Sequence, residues 1–451
     1  MPSFSRHFFY IRMNNICFSN FGKASLVPSP INQMTAAFSK DFRQGIDINL
    51  GVGYVNDETI PHKELQECFQ FVLQHPETYK NALNYGSADG SENLCRAIKE
   101  YYSRNRIGGL TADVLSKKKI CIGANGATSL LDSIAEIMPK GIVITTDPNY
   151  YIYIETLQRK GFTICAIPED SDGMRVDVLE EQLKTIDTES ISFFYIVTIN
   201  NPSSVVMANH RKKQIVQIAT NLSRKLNKKI PLIFDKAYED ILFDTSVDSP
   251  ISAMQYDEDG LVVELGTLSK IIAPALRIGY AISDNSDIMN VLIQKTSDIG
   301  FSAPLINEEM ASRFLDVYID EHARRVRLGY KQKADFLRES LNKELGQYLQ
   351  AYSGGQAGFY FYLTFKNVET HSQSAFFKYL SRTTGDAQID GTPKNPRLVY
   401  VPGEFCVVRN GLSYRLGLRQ LRISYGFEDL SVLEKSVKLM REATEYSLSL
   451  Q

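Results

Sequence analysis

Between residues 119 and 282 the chain alternates short apolar runs with longer amphipathic ones. Seven short runs have the length and composition of buried strands, at 119–123, 142–145, 162–167, 191–198, 230–234, 261–265 and 277–282. Helical spacing follows several of them, at 126–138, 176–186 and 209–227, with another helix at 286–297. Strands alternating with helices predict an α/β fold with a large, parallel-rich sheet, whose sites lie at the C-terminal ends of the strands. Outside this block the pattern predicts a short strand at 46–52 and a helix at 63–74. A second helix runs to 102, and residues 305–343 are helical throughout. Strands at 357–363 and 421–425 and a closing helix at 428–447 complete the chain.

The chemistry-bearing residues sit where the strand-like runs stop. After 261–265 comes Thr267-Leu268-Ser269-Lys270-Ile271-Ile272-Ala273-Pro274, with Arg277 seven positions beyond the lysine. An amine flanked by apolar residues has its pKa pushed down, which frees it to attack a carbonyl. Thr267, Ser269 and Arg277 add two hydroxyls and a guanidinium, a suitable set for a phosphate. The run 230–234 ends at Asp235, a carboxylate that is costly to bury unless paired, with Tyr238 three residues on. Gly126, Ala127 and Thr128 form a small-residue turn into a helix, where backbone N–H groups can close on an anion. The turn lacks Gly-Lys-Ser/Thr, which argues against a nucleotide P-loop. Gly51-Val52-Gly53-Tyr54 does not continue into a dinucleotide fingerprint. Arg422 stands alone in the run 421–425 and calls for an anion such as a carboxylate. An amine nucleophile beside a phosphate clamp is what an enzyme binding pyridoxal 5′-phosphate (PLP) requires.

The stretch from Thr267 to Arg277 resembles the Schiff-base signature of the fold type I PLP enzymes, specifically the class I/II aminotransferases. The run His322-Ala323-Arg324-Arg325-Val326-Arg327 is similar to the aminoadipate-aminotransferase-like and MocR-like branch. The resemblance covers about residues 45–445 and implies a large domain with a seven-stranded, mainly parallel sheet plus a smaller α+β domain. It divides the chain into an arm or targeting segment (1–45), the N-terminal part of the small domain (46–75), a large PLP-binding domain (76–304) and a C-terminal small domain (305–451). It makes Lys270 the residue that bonds PLP and moves the substrate α-proton, with Asp235 keeping the ring nitrogen protonated. Tyr238 and Asn201, the latter from Asn200-Asn201-Pro202-Ser203-Ser204, donate to the phenolic O3′. Gly126, Ala127, Thr128, Thr267, Ser269 and Arg277 serve the phosphate end. Tyr150, from Asp147-Pro148-Asn149-Tyr150-Tyr151, stacks on the ring, with Tyr151 as the fallback. Tyr85 reaches the cofactor of a second subunit, which implies a homodimer with shared sites. Arg422, Gly53 and Asn201 meet the substrate, and Tyr54, His62 and Phe301 are candidates for the side-chain pocket. The chain departs from the family pattern at Ser203-Ser204, where Thr-Gly is usual, and at Lys236, where Glu or Asp is usual.

The implied activity is transfer of an amino group between an L-amino acid and a 2-oxo acid by ping-pong chemistry. A PLP-dependent β-lyase is the alternative enzyme, and a PLP-binding regulator of the MocR type the non-enzymatic one. Only about 45 residues precede the match, which argues against a DNA-binding domain. Retention of Lys270, Asp235, Tyr238 and Arg277 argues against a vestigial scaffold.

Composition narrows the partners. A formal charge of −2, with 43% hydrophobic and 23% charged residues, gives no reason to expect nucleic acid or an anionic membrane. No apolar stretch approaches the roughly 20 residues of a membrane helix. Six scattered cysteines without a C-x-x-C read as thiols of a reducing compartment, and six dispersed histidines make a metal site unexpected. The first 40 residues carry Arg6, Arg12, Lys23 and Lys40 and no acid, as transit peptides do. Pro28, Pro30 and Gln33 break a long amphipathic helix there, which favours an arm and a cytoplasmic protein over a mitochondrial or other organellar one. The basic residues Arg211, Lys212, Lys213 and Lys225, and the charges of 318–327, read as solvated helix faces.

Overall fold

The computed structural model describes residues 16–284, 286–391 and 395–451. Arg6 and Arg12, which prompted the comparison with a transit peptide, lie outside them. Residues 20–39 form two short helices, Asn20–Ala24 and Pro30–Ser39. Pro30 starts the second helix rather than breaking it, because its missing N–H falls in the first turn and Ser29 caps the Asn32 amide.

Among the described residues, fourteen strands form three sheets. In chain order they are β1 (Ile48–Asn49), β2 (Lys119–Ile122), β3 (Ile142–Asp147), β4 (Thr163–Asp170), β5 (Gly173–Met174), β6 (Ile191–Val197) and β7 (Leu232–Asp235). They continue with β8 (Val262–Thr267), β9 (Gly279–Ser283), β10 (Leu349–Gly354), β11 (Tyr360–Phe365), β12 (Leu398–Val399), β13 (Val401–Pro402) and β14 (Gln420–Ser424). The large sheet has the order β2-β9-β8-β7-β6-β3-β4-β5. Strands β8, β7, β6, β3 and β4 are parallel, and β9 runs against both β2 and β8. The sheet has one strand more than the seven predicted, because β5 turns back on β4 as a two-residue edge strand too short to show periodicity.

Alternation along the central strands sends their side chains to two separate cores. Tyr195, Val197, Ile233, Val263 and Leu265 face one side and pack with Leu130, Leu131 and Ile134 of helix Gly126–Ile137 and Leu292 of helix Ser286–Gly300. Phe194, Ile196, Leu232, Phe234 and Val262 face the other side, with Ile215, Val216 and Ala219 of helix Asn209–Leu226. Each such fully buried aliphatic side chain contributes roughly 1.5–3 kcal/mol. Helices on both faces of a mostly parallel sheet leave its C-terminal edge free for a site.

The C-terminal part builds a four-stranded antiparallel sheet, β10-β11-β14-β13, backed by helices Ile319–Leu345 and Leu430–Ser449. The predicted helical stretch 305–343 breaks at Tyr318 into Leu305–Val317 and Ile319–Leu345. The expectation of solvated charge after that break is corrected in part. His322 is buried and bonds the Ile271 carbonyl at 2.7 Å, and Arg327 donates to the Asp240 carbonyl at 2.7 Å. The basic face of helix Asn209–Leu226 needs the same correction at one position. Lys212 is buried and donates to the Ile251 carbonyl at 2.6 Å, because its turn of the helix faces the sheet.

Candidate active site

The cofactor-type residues converge on a cavity of about 310 Å³ at the C-terminal edge of the large sheet, lined also by Tyr360 of β11 and Arg422 of β14. Lys270 follows β8 directly. Its ammonium donates to the Gly53 carbonyl at 3.1 Å. Burial first, then the charges of Arg422 and Arg277, push its pKa down to about 8, against an opposing pull from Asp235. Asp235 ends β7 on the same face. Its two oxygens accept from the Tyr195 hydroxyl and the Ala237 amide, both at 3.0 Å, and it has no ion-pair partner among the described residues. Burial raises its pKa against the weaker pull of the Lys270 charge, and the carboxylate lacks a cation at ion-pair distance among the described residues.

Arg277 adopts a left-handed conformation, φ 55°, just before β9. Its Nε donates to the Asn125 side-chain oxygen at 2.9 Å and a terminal nitrogen to the Asn125 carbonyl at 3.0 Å. Helix Gly126–Ile137 begins there with no side-chain cap. The first-turn N–H groups of such a helix lack intrahelical partners, so a guanidinium and a helix N-terminus meet at one end of the cavity. Gly126 itself sits behind the lining formed by Ala127 and Thr128; a Cβ on it would come within 2.9 Å of the Arg277 guanidinium. Thr267 spends its hydroxyl on the Ile278 carbonyl at 2.8 Å and lies 2.9 Å from the Ser269 hydroxyl, and both residues line the cavity.

At the other end, Arg422 projects from β14. It donates to the Asn201 side-chain oxygen at 2.7 Å and the Gly51 carbonyl at 2.6 Å, while its buried Nε has no hydrogen-bond partner among the described residues. The guanidinium lies 4.2 Å from the centre of the Tyr360 ring. Tyr238 is buried, with the Tyr360 hydroxyl at 3.0 Å and the Asn201 amide nitrogen at 3.4 Å from its oxygen. Tyr150 and Tyr151 both line the cavity.

Gly53, Tyr54, Ala127, Thr128, Tyr150, Asn201, Asp235, Tyr238, Thr267, Ser269, Lys270, Arg277 and Arg422 therefore share one wall system. Besides Gly126 behind the lining, three candidates do not. Tyr85 is 76% exposed and faces the Phe301 ring, 5.4 Å away, outside this chain's cavity. His62 is exposed at the start of helix His62–Gln74, and Phe301 is itself exposed, so the pocket expectation for both is corrected within the chain. The reading of the sequence did not single out Asn125, Tyr195 or Tyr360. Tyr195 sits inside an unbroken apolar run, where a tyrosine reads as core. Tyr360 belongs to an aromatic run, Phe359-Tyr360-Phe361-Tyr362, in which alternation alone does not say which ring meets the site.

Lys236, next to Asp235, points to the opposite face of the sheet. Its ammonium lies 3.0 Å from Glu264 and 3.1 Å from Glu239, and Lys212 is 3.8 Å from Glu239. All four side chains are buried.

Fold and cavity define an α/β enzyme scaffold with its site at the strand ends. The chain belongs to the family of class I and II aminotransferases, whose model matches residues 46–392. Arg422 lies beyond that stretch, so its place rests on the geometry above. Among curated proteins, the chain is 27% identical over 302 residues to aromatic-amino-acid aminotransferase 1 of Thermococcus litoralis, covering 66% of this chain and 68% of the relative. It is 26% identical over 398 residues to an uncharacterized HTH-type transcriptional regulator, YisV, of Bacillus subtilis, covering 88% and 73%. A multiple substrate aminotransferase from Thermococcus profundus superimposes with a TM-score of 0.81 at 20% identity, covering 96% of this chain and 98% of that one. The family's members use PLP, and the fold is the fold type I arrangement.

Proposed function

We propose that the protein transfers an amino group between an L-amino acid and a 2-oxo acid, with PLP held in the Lys270 cavity. The observation that carries this reading is Lys270 itself: a partly buried amine, with its pKa down at about 8, lining the same cavity as the buried carboxylate of Asp235, which has no ion-pair partner among the described residues. When bound, PLP supplies an electron sink that makes the substrate Cα–H acidic. The residues present fit that group. Arg277 and the uncapped N-terminus of helix Gly126–Ile137 suit its phosphate, with Thr267 and Ser269 alongside. Asp235 suits a protonated ring nitrogen, with Tyr195 and the Ala237 amide fixing its two oxygens. Tyr238 and Asn201 present donors to the phenolic oxygen. Tyr150 is the ring-stacking residue and Tyr151 the second choice.

The orphaned Nε of Arg422 is a buried donor awaiting an acceptor, and a substrate α-carboxylate supplies one. Gripping the carboxylate there orients the Cα–H bond towards Lys270, whose neutral fraction near pH 8 removes the proton at Nζ and returns it. Gly53 holds the Lys270 ammonium through its carbonyl and borders the same space. The exposed Tyr85 and Phe301, with Leu83 nearby in sequence and 75% exposed, suit burial against a second copy, in which Tyr85 would reach that copy's phosphate site. The eight-stranded sheet belongs to a large domain of residues 76–304, and the four-stranded sheet to a small domain of 305–451 joined by 46–75.

The likeness to a transcriptional regulator supports a second reading, in which the same cavity holds PLP without turnover. The visible spectrum of PLP-loaded protein, recorded with single amino acids and no 2-oxo acid, separates the readings. Conversion of the visible band to the amine form of the cofactor, reversed by a 2-oxo acid, is the expected result. Pyruvate and ammonia accumulating under a persistent band would make the protein a lyase, and a band that no amino acid alters would make it a regulator.

A further inference from the structure

Tyr360 lies on β11 with its ring 1% exposed, and its hydroxyl touches a single polar group among the described residues, the Tyr238 hydroxyl at 3.0 Å. Between two phenols one hydrogen bridges, and the other must go elsewhere. Arg422 settles which. Its donation to the Asn201 side-chain oxygen at 2.7 Å fixes the amide so that its nitrogen faces Tyr238, 3.4 Å away. One lone pair of the Tyr238 oxygen is thereby taken by Asn201. The Tyr360 hydroxyl, with no other acceptor among the described residues, takes the second. The Tyr238 hydrogen is then left to aim into the cavity. The Tyr360 ring meanwhile carries the Arg422 guanidinium on its face at 4.2 Å, so one side chain closes a loop through Arg422, Asn201 and Tyr238.

We propose that Tyr360 is a positioning residue that couples the two ends of the site, its ring carrying the substrate-facing guanidinium of Arg422 and its hydroxyl holding the Tyr238 proton towards the cofactor oxygen. This rests on the reading of the cavity as a PLP site. A second feature fits it independently. A Cβ at Gly53 would come within 2.4 Å of the Tyr360 hydroxyl, while the next atom of the ring is 3.6 Å away. Residue 53 therefore needs to be glycine because of that hydroxyl alone, and the same residue's carbonyl receives Lys270. The hydroxyl has space made for it where a phenylalanine would need none.

The test is a pH titration of the visible absorption of PLP-loaded protein. A phenol donating to the cofactor oxygen favours the deprotonated chromophore, so weakening that donor raises the chromophore's apparent pKa. Tyr360→Phe raises it by about one unit, the scale of a single hydrogen bond. KM for the amino acid changes by less than about threefold, because a phenyl face still carries the guanidinium. Tyr360→Leu gives the same pKa rise and also raises KM roughly tenfold, since the face is lost. Gly53→Ala, which displaces the hydroxyl, raises the pKa in the native background and adds nothing in the Tyr360→Phe background. That pair keeps the question answerable if one variant does not fold. An unchanged or lowered pKa in Tyr360→Phe overturns the coupling while leaving the PLP site standing. A protein that takes up no chromophore overturns the site, and the coupling with it.

Discussion

Two lysines stand at the ends of neighbouring strands, Lys236 buried and Lys270 partly buried, and they differ in their charge environment. Lys270, after β8, faces the cavity, where two arginines and no ion-paired acid surround it, and its pKa falls to about 8. Lys236, after β7, faces the other side of the sheet between Glu239 and Glu264, and its pKa is raised despite a burial that alone would lower it. Burial alone would lower both, and the more buried lysine is the one whose pKa rises, so burial does not decide the outcome. The carboxylates do. One face of the sheet neutralises its charges internally and holds the strands; the other leaves Lys270, Asp235, Arg277 and Arg422 each without an ion pair among the described residues. That deficit is what a doubly anionic, cationic-ringed cofactor and a substrate carboxylate would fill.

The largest expected difference between the two is functional. Lys270→Ala should lower turnover by roughly four orders of magnitude or more, as loss of a covalent and proton-moving group does. Its cofactor-free form should not be destabilised. A lysine with its folded pKa below the unfolded value binds fewer protons when folded, so it weakens the fold fully below about pH 8. That weakening disappears as pH rises towards the unfolded value near 10.4. Lys270→Met should therefore gain on the order of 2 kcal/mol at pH 7, read from urea midpoints, and the gain should shrink by pH 10. A clear loss of stability at pH 7 would show that Lys270 has a structural partner after all.

Lys236→Met should do the reverse. Removing the cation leaves Glu239 and Glu264 buried and uncompensated, at a cost of about 3–5 kcal/mol. Turnover per folded molecule should stay within about threefold, because Lys236 lies on the face away from the cavity. Adding Glu264→Gln should recover part of the loss, since one unpaired charge goes with it. If the single variant unfolds outright, the recovery in the double variant still tests the pairing.

The contrast also explains which parts of the molecule could be read from sequence. The strand-helix alternation and the strand-end residues Asp235 and Lys270 were legible because a buried strand followed by chemistry is a local pattern. The site's supporting contacts were not. Tyr195 lies 40 residues from the carboxylate it bonds, and Asn125 lies 152 from Arg277. Lys212 was expected in solvent, because helical spacing does not tell which face meets the sheet. Two oddities were visible all along: Glu264 inside an apolar run, and Lys236 where the resemblance leads one to expect an acid. Strand alternation joins them, since Phe234 is the register partner of Glu264 and Lys236 lies two residues beyond it on the same face. Tyr85 and Phe301 were named from their local motifs, but within the chain their exposed rings meet each other rather than the cavity.

Carboxylates repeat the contrast with the opposite sign, on a smaller scale. Glu264, between Lys236 and Lys212, has its pKa lowered; Glu308 is equally buried, but its neighbours are Glu309 and Asp89, and its pKa is pushed up to about 8. One Glu308 oxygen accepts from the Ser91 amide at 2.6 Å, and the other has no partner among the described residues. The folded protein thus keeps a proton there that the unfolded chain releases near pH 4.3. Folded protein binding more protons means that stability falls as pH rises from about 4.3 to about 8 and is flat above. Glu308→Gln has no such proton to lose. Its urea midpoint should match the native protein's near pH 4.5 and exceed it at pH 8.5, by on the order of 2 kcal/mol once converted. Parallel pH profiles for the two proteins would mean that Glu308 ionises freely, and that burial without a counter-charge is not enough to set these groups apart.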